Sequence, residues 1–205
     1  MPRHRVNEDL IKRQLLSALS QARAGSSDFD LNPEITLPEG RKLRAAAVLI
    51  AVVSGDEPQI ILTKRASGMK HHPGQIAFPG GKVDATDIDA RAAALREAHE
   101  EIGLPSEQVE ILGQLPDHET VTGFTVTPFV GLVHGDFEPV SEPGEVSEVF
   151  QVPLSHVLNM DCYRIEYRRW QGRRRFYFTV PWGPYYVWGA TARMLRNLAG
   201  GKDEN

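Results

Sequence analysis

The stretch REAHEEIGL, Arg96 to Leu104, sets three glutamates, Glu97, Glu100 and Glu101, inside five residues of a segment that otherwise reads as helix. Like charges three or four positions apart on a helix repel, by about a few tenths of a kcal/mol per pair. The run stops at Gly103, with Pro105 just beyond, the pattern of a left-handed C′ residue followed by a helix-incompatible one. Upstream, Asp89 suits an N-cap, so a helix is predicted over 89–102. At roughly 100° per residue the three glutamates share one sector, and Ala94, Leu95, Ala98 and Ile102 fill the sector beside it. One stripe packs; the carboxylates gather next to it. A solvated acidic face is the plain reading of such a triplet taken alone. Here it follows a glycine-rich loop and a further acidic stretch, Asp84, Asp87 and Asp89. Hard oxygen ligands collected in one place suit Mg²⁺ or Mn²⁺, ions that keep several waters and are completed by substrate phosphates.

Outward from this helix, the continuous apolar run 44–53 predicts a buried strand, and Gln59–Lys64 a second one across a Gly-Asp-Glu-Pro turn. Ile76–Phe78, 109–115, 125–134 and 148–154 read as further strands. Two runs flanking Trp170-Gln171-Gly172 read as a hairpin. A helix over 190–198 packs through Met194, Leu195 and Leu198. Near the start, 7–21 is predicted helical, with Asn7 as N-cap and Leu10, Ile11, Leu15 and Leu19 as its apolar stripe. The expected division is an N-terminal helix and linker over 1–40, a compact domain over 41–199 and a flexible tail over 200–205. The fold class is α+β, or a mixed α/β sandwich.

Bulk properties limit the function. The chain has 205 residues, 41% of them hydrophobic, and a formal net charge of −4, so no global basic field recruits nucleic acid or anionic membrane. The single Cys162 excludes an internal disulfide. No apolar run approaches the roughly 20 residues of a membrane span, and charged residues interrupt any candidate secretory signal. A cytoplasmic protein is expected.

The segment Gly81–Leu104 resembles the Nudix box. Gly81 matches its first glycine, and Arg96, Glu97, Ala98, Glu100, Glu101, Gly103 and Leu104 match its second half. The first acidic position holds Asp87 in place of glutamate, and eight residues rather than seven separate it from Arg96. Just upstream, LTKRASGMKHHPGQIAFPGG, 62–81, is similar to the signature of the coenzyme A pyrophosphatase branch. Thr63, Arg65, Gly74, Gln75, Phe78, Pro79, Gly80 and Gly81 match it. Lys70 stands where that signature has a second arginine, which keeps the charge and loses the bidentate fork.

The resemblance implies a Nudix-type α/β/α sandwich around a mixed β-sheet. It implies metal-dependent hydrolysis of a diphosphate bond, with coenzyme A or its acyl derivatives split to 3′,5′-ADP and (acyl)phosphopantetheine. Glu97, Glu100 and Glu101 would hold Mg²⁺ or Mn²⁺, and Arg96 would orient them. Gly80 and Gly81 would let the backbone approach the site. Arg65, Lys70, Gln75 and Phe78 would meet the substrate, although strand packing is the simpler account of Phe78. Lys64, His71 and His72 complete a basic cluster there. Glu145 is the favoured general base over Glu148 and Glu119.

Two other readings stay open. One is a Nudix enzyme acting on a nucleoside triphosphate, a nucleotide sugar or ADP-ribose. The other is a non-catalytic Nudix-fold module that binds RNA or nucleotides, motivated by arginines 164, 168, 169, 173, 174 and 175 interleaved with aromatic residues. That hairpin also fits an ordinary strand pair with one apolar and one charged face, so a nucleic-acid partner is not expected. Its aromatic residues, with the apolar residues of the N-terminal helix, could serve a homodimer.

Overall fold

The computed structural model describes residues 2–22, 24–38, 40–69, 72–170 and 172–200, and the backbone alone for 2–7. In chain order the elements are α1 (Pro2–Gln21), β1 (Ser26–Ser27), β2 (Arg44–Val53), β3 (Gln59–Arg65), β4 (Ile76–Ala77), β5 (Gly80–Lys82), α2 (Ala90–Ile102), β6 (Val109–Gln114), β7 (His118–Glu119), β8 (Phe124–Val133), β9 (Val146–Pro153), α3 (Leu154–Val157), β10 (Arg164–Trp170), β11 (Arg173–Thr179) and α4 (Ala190–Leu198).

The apolar run 44–53 is the axis of the molecule. It forms β2, which runs parallel to β8 along its whole length and antiparallel to β5 and β3 on its other edge. The far edge of β8 takes β6 and β7, and β7 takes β1 in parallel. The far edge of β3 takes β9, and β4 pairs its free end. A strand's side chains alternate between faces, so a run apolar throughout must be covered twice. Ala47, Leu49 and Ala51 pack under Ala93, Ala94, Ala98 and Ile102 of α2. Ala46, Ile50 and Val52 face the opposite layer, where Ile11 and Leu15 of α1 and Met194, Leu195 and Leu198 of α4 close the core. The result is the three-layer α/β/α arrangement with a mixed sheet. Leu15 is fully buried, so trimming it to alanine should cost about 2–5 kcal/mol.

Three expectations need correction. Helix α1 begins at Pro2, ahead of Asn7. Leu10 is 59% exposed, so the stripe that packs is Ile11 and Leu15, with Leu19 against the rim. The predicted linker is pinned at several points. Fully buried Asn32 donates through Nδ2 to the Phe176 carbonyl (2.9 Å) and accepts from the Phe176 N–H (2.8 Å). Ser26 contacts Nδ1 of buried His118 (2.9 Å), and Asp28 contacts its Nε2 (3.3 Å). The predicted tail lies outside the described residues beyond 200.

The second sheet is the hairpin β10–β11 alone. It does not separate into one apolar and one charged face. Register places Arg169 opposite Arg174 on the side that carries Ile165 and Tyr167, and Arg168 opposite Arg175 on the other side with Trp170.

Candidate active site

Helix α2 is built as its caps predict. The Asp89 side chain accepts from the Ala92 N–H at 2.7 Å, and Gly103, at φ 71°, sends its N–H to the carbonyls of Ala98 and His99. Its acidic sector meets the tight strand β5. The Gly80 N–H donates to Oε2 of Glu101 at 3.2 Å. Both glycines are needed for this approach. A Cβ on Gly80 would stand 2.5 Å from the Ala47 carbonyl oxygen of β2, and one on Gly81 would stand 2.5 Å from the Glu97 carboxylate.

Glu101 is 4% exposed. Burial lifts its pKa from 4.5 to about 7, against the pull of the Gly80 N–H and Arg65, and the neighbouring charges of Glu97 and Glu145 push the same way as burial. Burial also raises Glu97, with Arg96 opposing and Glu100 and Glu145 adding to the rise. Taking a carboxylate from water disfavours its charged form unless cations compensate.

Arg96 is fixed from one side and bonds on the other. It clasps Asp87 with Nε (2.9 Å) and Nη2 (3.0 Å). From the opposite side Nη1 donates to Glu97 (3.0 Å) and Glu100 (2.9 Å). Hydrogen bonding to Arg96 holds Asp87 below the usual carboxylate range and raises the guanidinium. Asp87 also takes the Asp84 N–H at 2.8 Å, closing the turn that precedes the helix. The extra residue in this loop therefore leaves a bidentate contact with Arg96 intact, a role for Asp87 that the bare spacing did not reveal. The Glu100 side chain is 57% exposed and turned toward Arg96.

The loop before β9 fastens to the same end of α2: the Val140 N–H donates to Ile102 and the Glu142 N–H to Glu101. Glu145 follows. Its carbonyl accepts from the Ala66 N–H at 2.8 Å, and Gln75 accepts through its carbonyl from the Arg65 N–H at 2.9 Å. Arg65 and Glu145 both lie close enough to Glu101 to act on its charge, and Gln75 joins Arg65 through the backbone. The Nε of Arg65 is buried with no hydrogen-bond partner among the described residues. The other proposed bases are engaged elsewhere. Glu119 is ion-paired with Arg41, and Glu148 accepts from the Tyr185 hydroxyl at 2.5 Å. Phe78 is 2% exposed in the core under the sheet, which makes it a packing residue and removes it from any cleft. Lys70 and His71 lie outside the described residues.

A NUDIX domain profile matches residues 43–176. The chain belongs to the Nudix family. Over 157 residues it is 48% identical to the uncharacterized Nudix hydrolase NudL of Enterobacter sp. (strain 638), covering 76% of this chain and 81% of that one. The NudL of Salmonella heidelberg (strain SL476) is 45% identical over 172 residues, 82% of this chain and 88% of its own. A solved Ap4A hydrolase of C. elegans overlaps 54% of this chain and 80% of its own at 19% identity and a TM-score of 0.47, a likeness too loose to bear on substrate. The chain is thus a Nudix hydrolase, an enzyme of diphosphate bonds in nucleotide-derived small molecules. Among the described residues no helix is long and apolar enough to cross a membrane.

Enzymes of this family generally use divalent metal ions, and the residues here fit one. Among the described residues no three acidic, histidine or cysteine side chains stand together as a ready cage, because Arg96 draws Glu97 and Glu100 toward itself. The electrostatics still favour a dication. A buried carboxylate whose pKa burial lifts to about 7 feels the charges of Glu97 and Glu145, a dication would stabilise its ionised form, and all the donors are hard oxygens.

Proposed function

We propose that this Nudix hydrolase splits the diphosphate of coenzyme A or acyl-coenzyme A, giving 3′,5′-ADP and (acyl)phosphopantetheine. The observation that carries the reading is that Arg65, from the upstream signature, stands with Glu145 close enough to act on buried Glu101, with Gln75 of the same signature bonded to the Arg65 backbone. Glu97 and Glu101 would hold Mg²⁺ or Mn²⁺ directly, with Glu100 on the outer flank. Such an ion, when bound, neutralises phosphate charge and acidifies a coordinated water.

The chain's own residues supply the rest of the chemistry. Arg96, anchored on Asp87, sets where Glu97 and Glu100 point. The Gly80 N–H holds the Glu101 carboxylate in its buried position. Glu145 acts as general base: its carboxylate is exposed, has no hydrogen-bond partner among the described residues, and lies close enough to raise both ligand glutamates. Arg65, whose charge already acts on Glu101, offers a charge-assisted donor to a diphosphate oxygen. Lys70 is proposed as a second phosphate contact on the resemblance alone. A homodimer and a cytoplasmic location remain parts of the same proposal.

The test is mass-spectrometric identification of the products from coenzyme A, with and without divalent cation, beside a nucleoside triphosphate, a nucleotide sugar and ADP-ribose. Cation-dependent release of 3′,5′-ADP from coenzyme A in clear preference supports the assignment. Preference for any other member of the panel replaces the substrate and leaves the family chemistry standing.

A further inference from the structure

Outside the catalytic site the strongest charge concentration is the hairpin β10–β11. Residues 164–175 hold six arginines against one glutamate, a net +5 segment on a chain whose formal net charge is −4. That single acid is engaged, because Glu166 accepts from the Tyr186 hydroxyl at 2.5 Å. Register sets Arg168 directly across from Arg175 and Arg169 across from Arg174, pairings of like charge that destabilise a strand pair. Among the described residues no carboxylate pairs with Arg168, Arg169, Arg173 or Arg174; the nearest approach in the group is Arg175 to Asp28 at 3.9 Å. The arginines lie over rings instead, Arg168 above Trp188 at 4.3 Å and Arg174 above Tyr167 at 4.6 Å.

The hairpin is held from one side only. The outer edge of β11 is closed by the Asn32 carboxamide and by the Gly189 N–H, which donates to the Phe178 carbonyl at 3.0 Å. Every residue of β10 is exposed, with Ile165 at 56%, Tyr167 at 48% and Trp170 at 64%. This platform presents one exposed ring on each face, Tyr167 on one and Trp170 on the other, with arginines beside each.

We propose that the β10–β11 hairpin is a docking surface for single-stranded nucleic acid, separate from the diphosphate-splitting site. The charge calls for a polyanion, and the spacing of rings between the arginines calls for one that also offers flat apolar surfaces to stack. A lipid surface fits less well, because the exposed rings of Tyr167 and Trp170 lie on opposite faces of the hairpin and form no single apolar face to enter it. A second copy of this chain joined along β10 would bring two +5 segments together.

The test measures binding of a labelled oligouridylate of about a dozen nucleotides to the full chain, across a salt series. Inorganic polyphosphate and phosphatidylserine vesicles serve as comparators. The expected result is oligonucleotide binding that weakens with salt and exceeds polyphosphate binding. Replacing Arg168, Arg169, Arg173 and Arg174 by serine should flatten the log–log salt slope by roughly 3, at about 0.7 for each phosphate no longer neutralised. The corresponding four-lysine variant keeps the charge and should keep the slope. Trp170→Ala should weaken the oligonucleotide about tenfold and leave polyphosphate unchanged. Nucleotide hydrolysis by all three variants should match wild type, which shows that they fold. Polyphosphate binding as tight as the oligonucleotide, vesicle binding without oligonucleotide binding, or a serine variant that binds like wild type would each overturn the proposal.

Discussion

Two regions of this molecule crowd charges of one sign, and they do so in opposite environments. On α2 Glu101 is drawn into the protein, where it is 4% exposed and burial lifts its pKa to about 7, with Glu97 partly buried beside it. On β10–β11 the arginines stand in solvent, opposite one another across a strand pair. The acids are positioned in detail, by the Gly80 N–H, by the space that Gly81 leaves and by an arginine itself locked to Asp87. The arginines have looser partners, rings for Arg168 and Arg174 and Asp28 at 3.9 Å for Arg175. Water screens exposed like charges at small cost, so exposed crowding can be maintained without fixed partners. Buried crowding is costlier, and burial shows here as the raised pKa of Glu101.

Four results would sharpen or break that contrast. The largest effect is expected at the ligand acids: Glu97→Gln should lower turnover roughly a thousandfold while the fold survives, by loss of transition-state charge stabilisation worth several kcal/mol. Steady-state kinetics with a melting curve on the same sample reads both quantities. Gly81→Ala comes next. The new Cβ meets the carboxylate end of a flexible side chain, so Glu97 must move, and a displacement of this size costs about a hundredfold in kcat. An unchanged kcat would show that the close approach is incidental.

Asp87→Asn keeps the shape and loses the charged fork with Arg96. About a tenfold fall in kcat with little change in KM is expected, as for other groups that orient ligands from behind. The smallest effect concerns pH. Because the folded pKa of Glu101 lies above its ordinary value, the native state holds that proton more tightly than the unfolded chain does. The stability it contributes is complete below about pH 4.5 and is lost as pH rises through about 7, on the order of 3 kcal/mol. With a chelator present, the melting temperature should fall by roughly 5–10 °C between pH 5 and pH 8. Glu101→Gln should flatten that profile, and a slope that persisted in the variant would assign it to another group.

How legible each region was in the sequence follows from the same physics. Elements β2, α2 and α4 could be read because long runs carry their own period, and because Asp89 and Gly103 are cap residues whose chemistry is local. Strands β1, β5 and β7 could not, since two or three residues show no alternation and exist only because a partner strand lies alongside. The glutamates were visible as a helix sector. The partner that fixes Arg96 was not, because an eight-residue gap hides a bidentate contact that only the Asp84–Asp87 turn creates. Arg65 comes from the resemblance and Glu145 from its place in a loop before a strand; what joins them is the Ala66–Glu145 backbone bond across 79 positions of chain, which no local pattern announces. Leu10 shows the reverse error, a residue that fits a stripe by spacing and faces water because α1 meets the sheet through Ile11 and Leu15.

The most direct trial of the account is anomalous diffraction from crystals soaked in Mn²⁺. The predicted result is a manganese peak in coordinating contact with carboxylate oxygens of Glu97 and Glu101, with Arg96 still clasped to Asp87. A map with no peak at those oxygens in crystals that bind the ion elsewhere would contradict it.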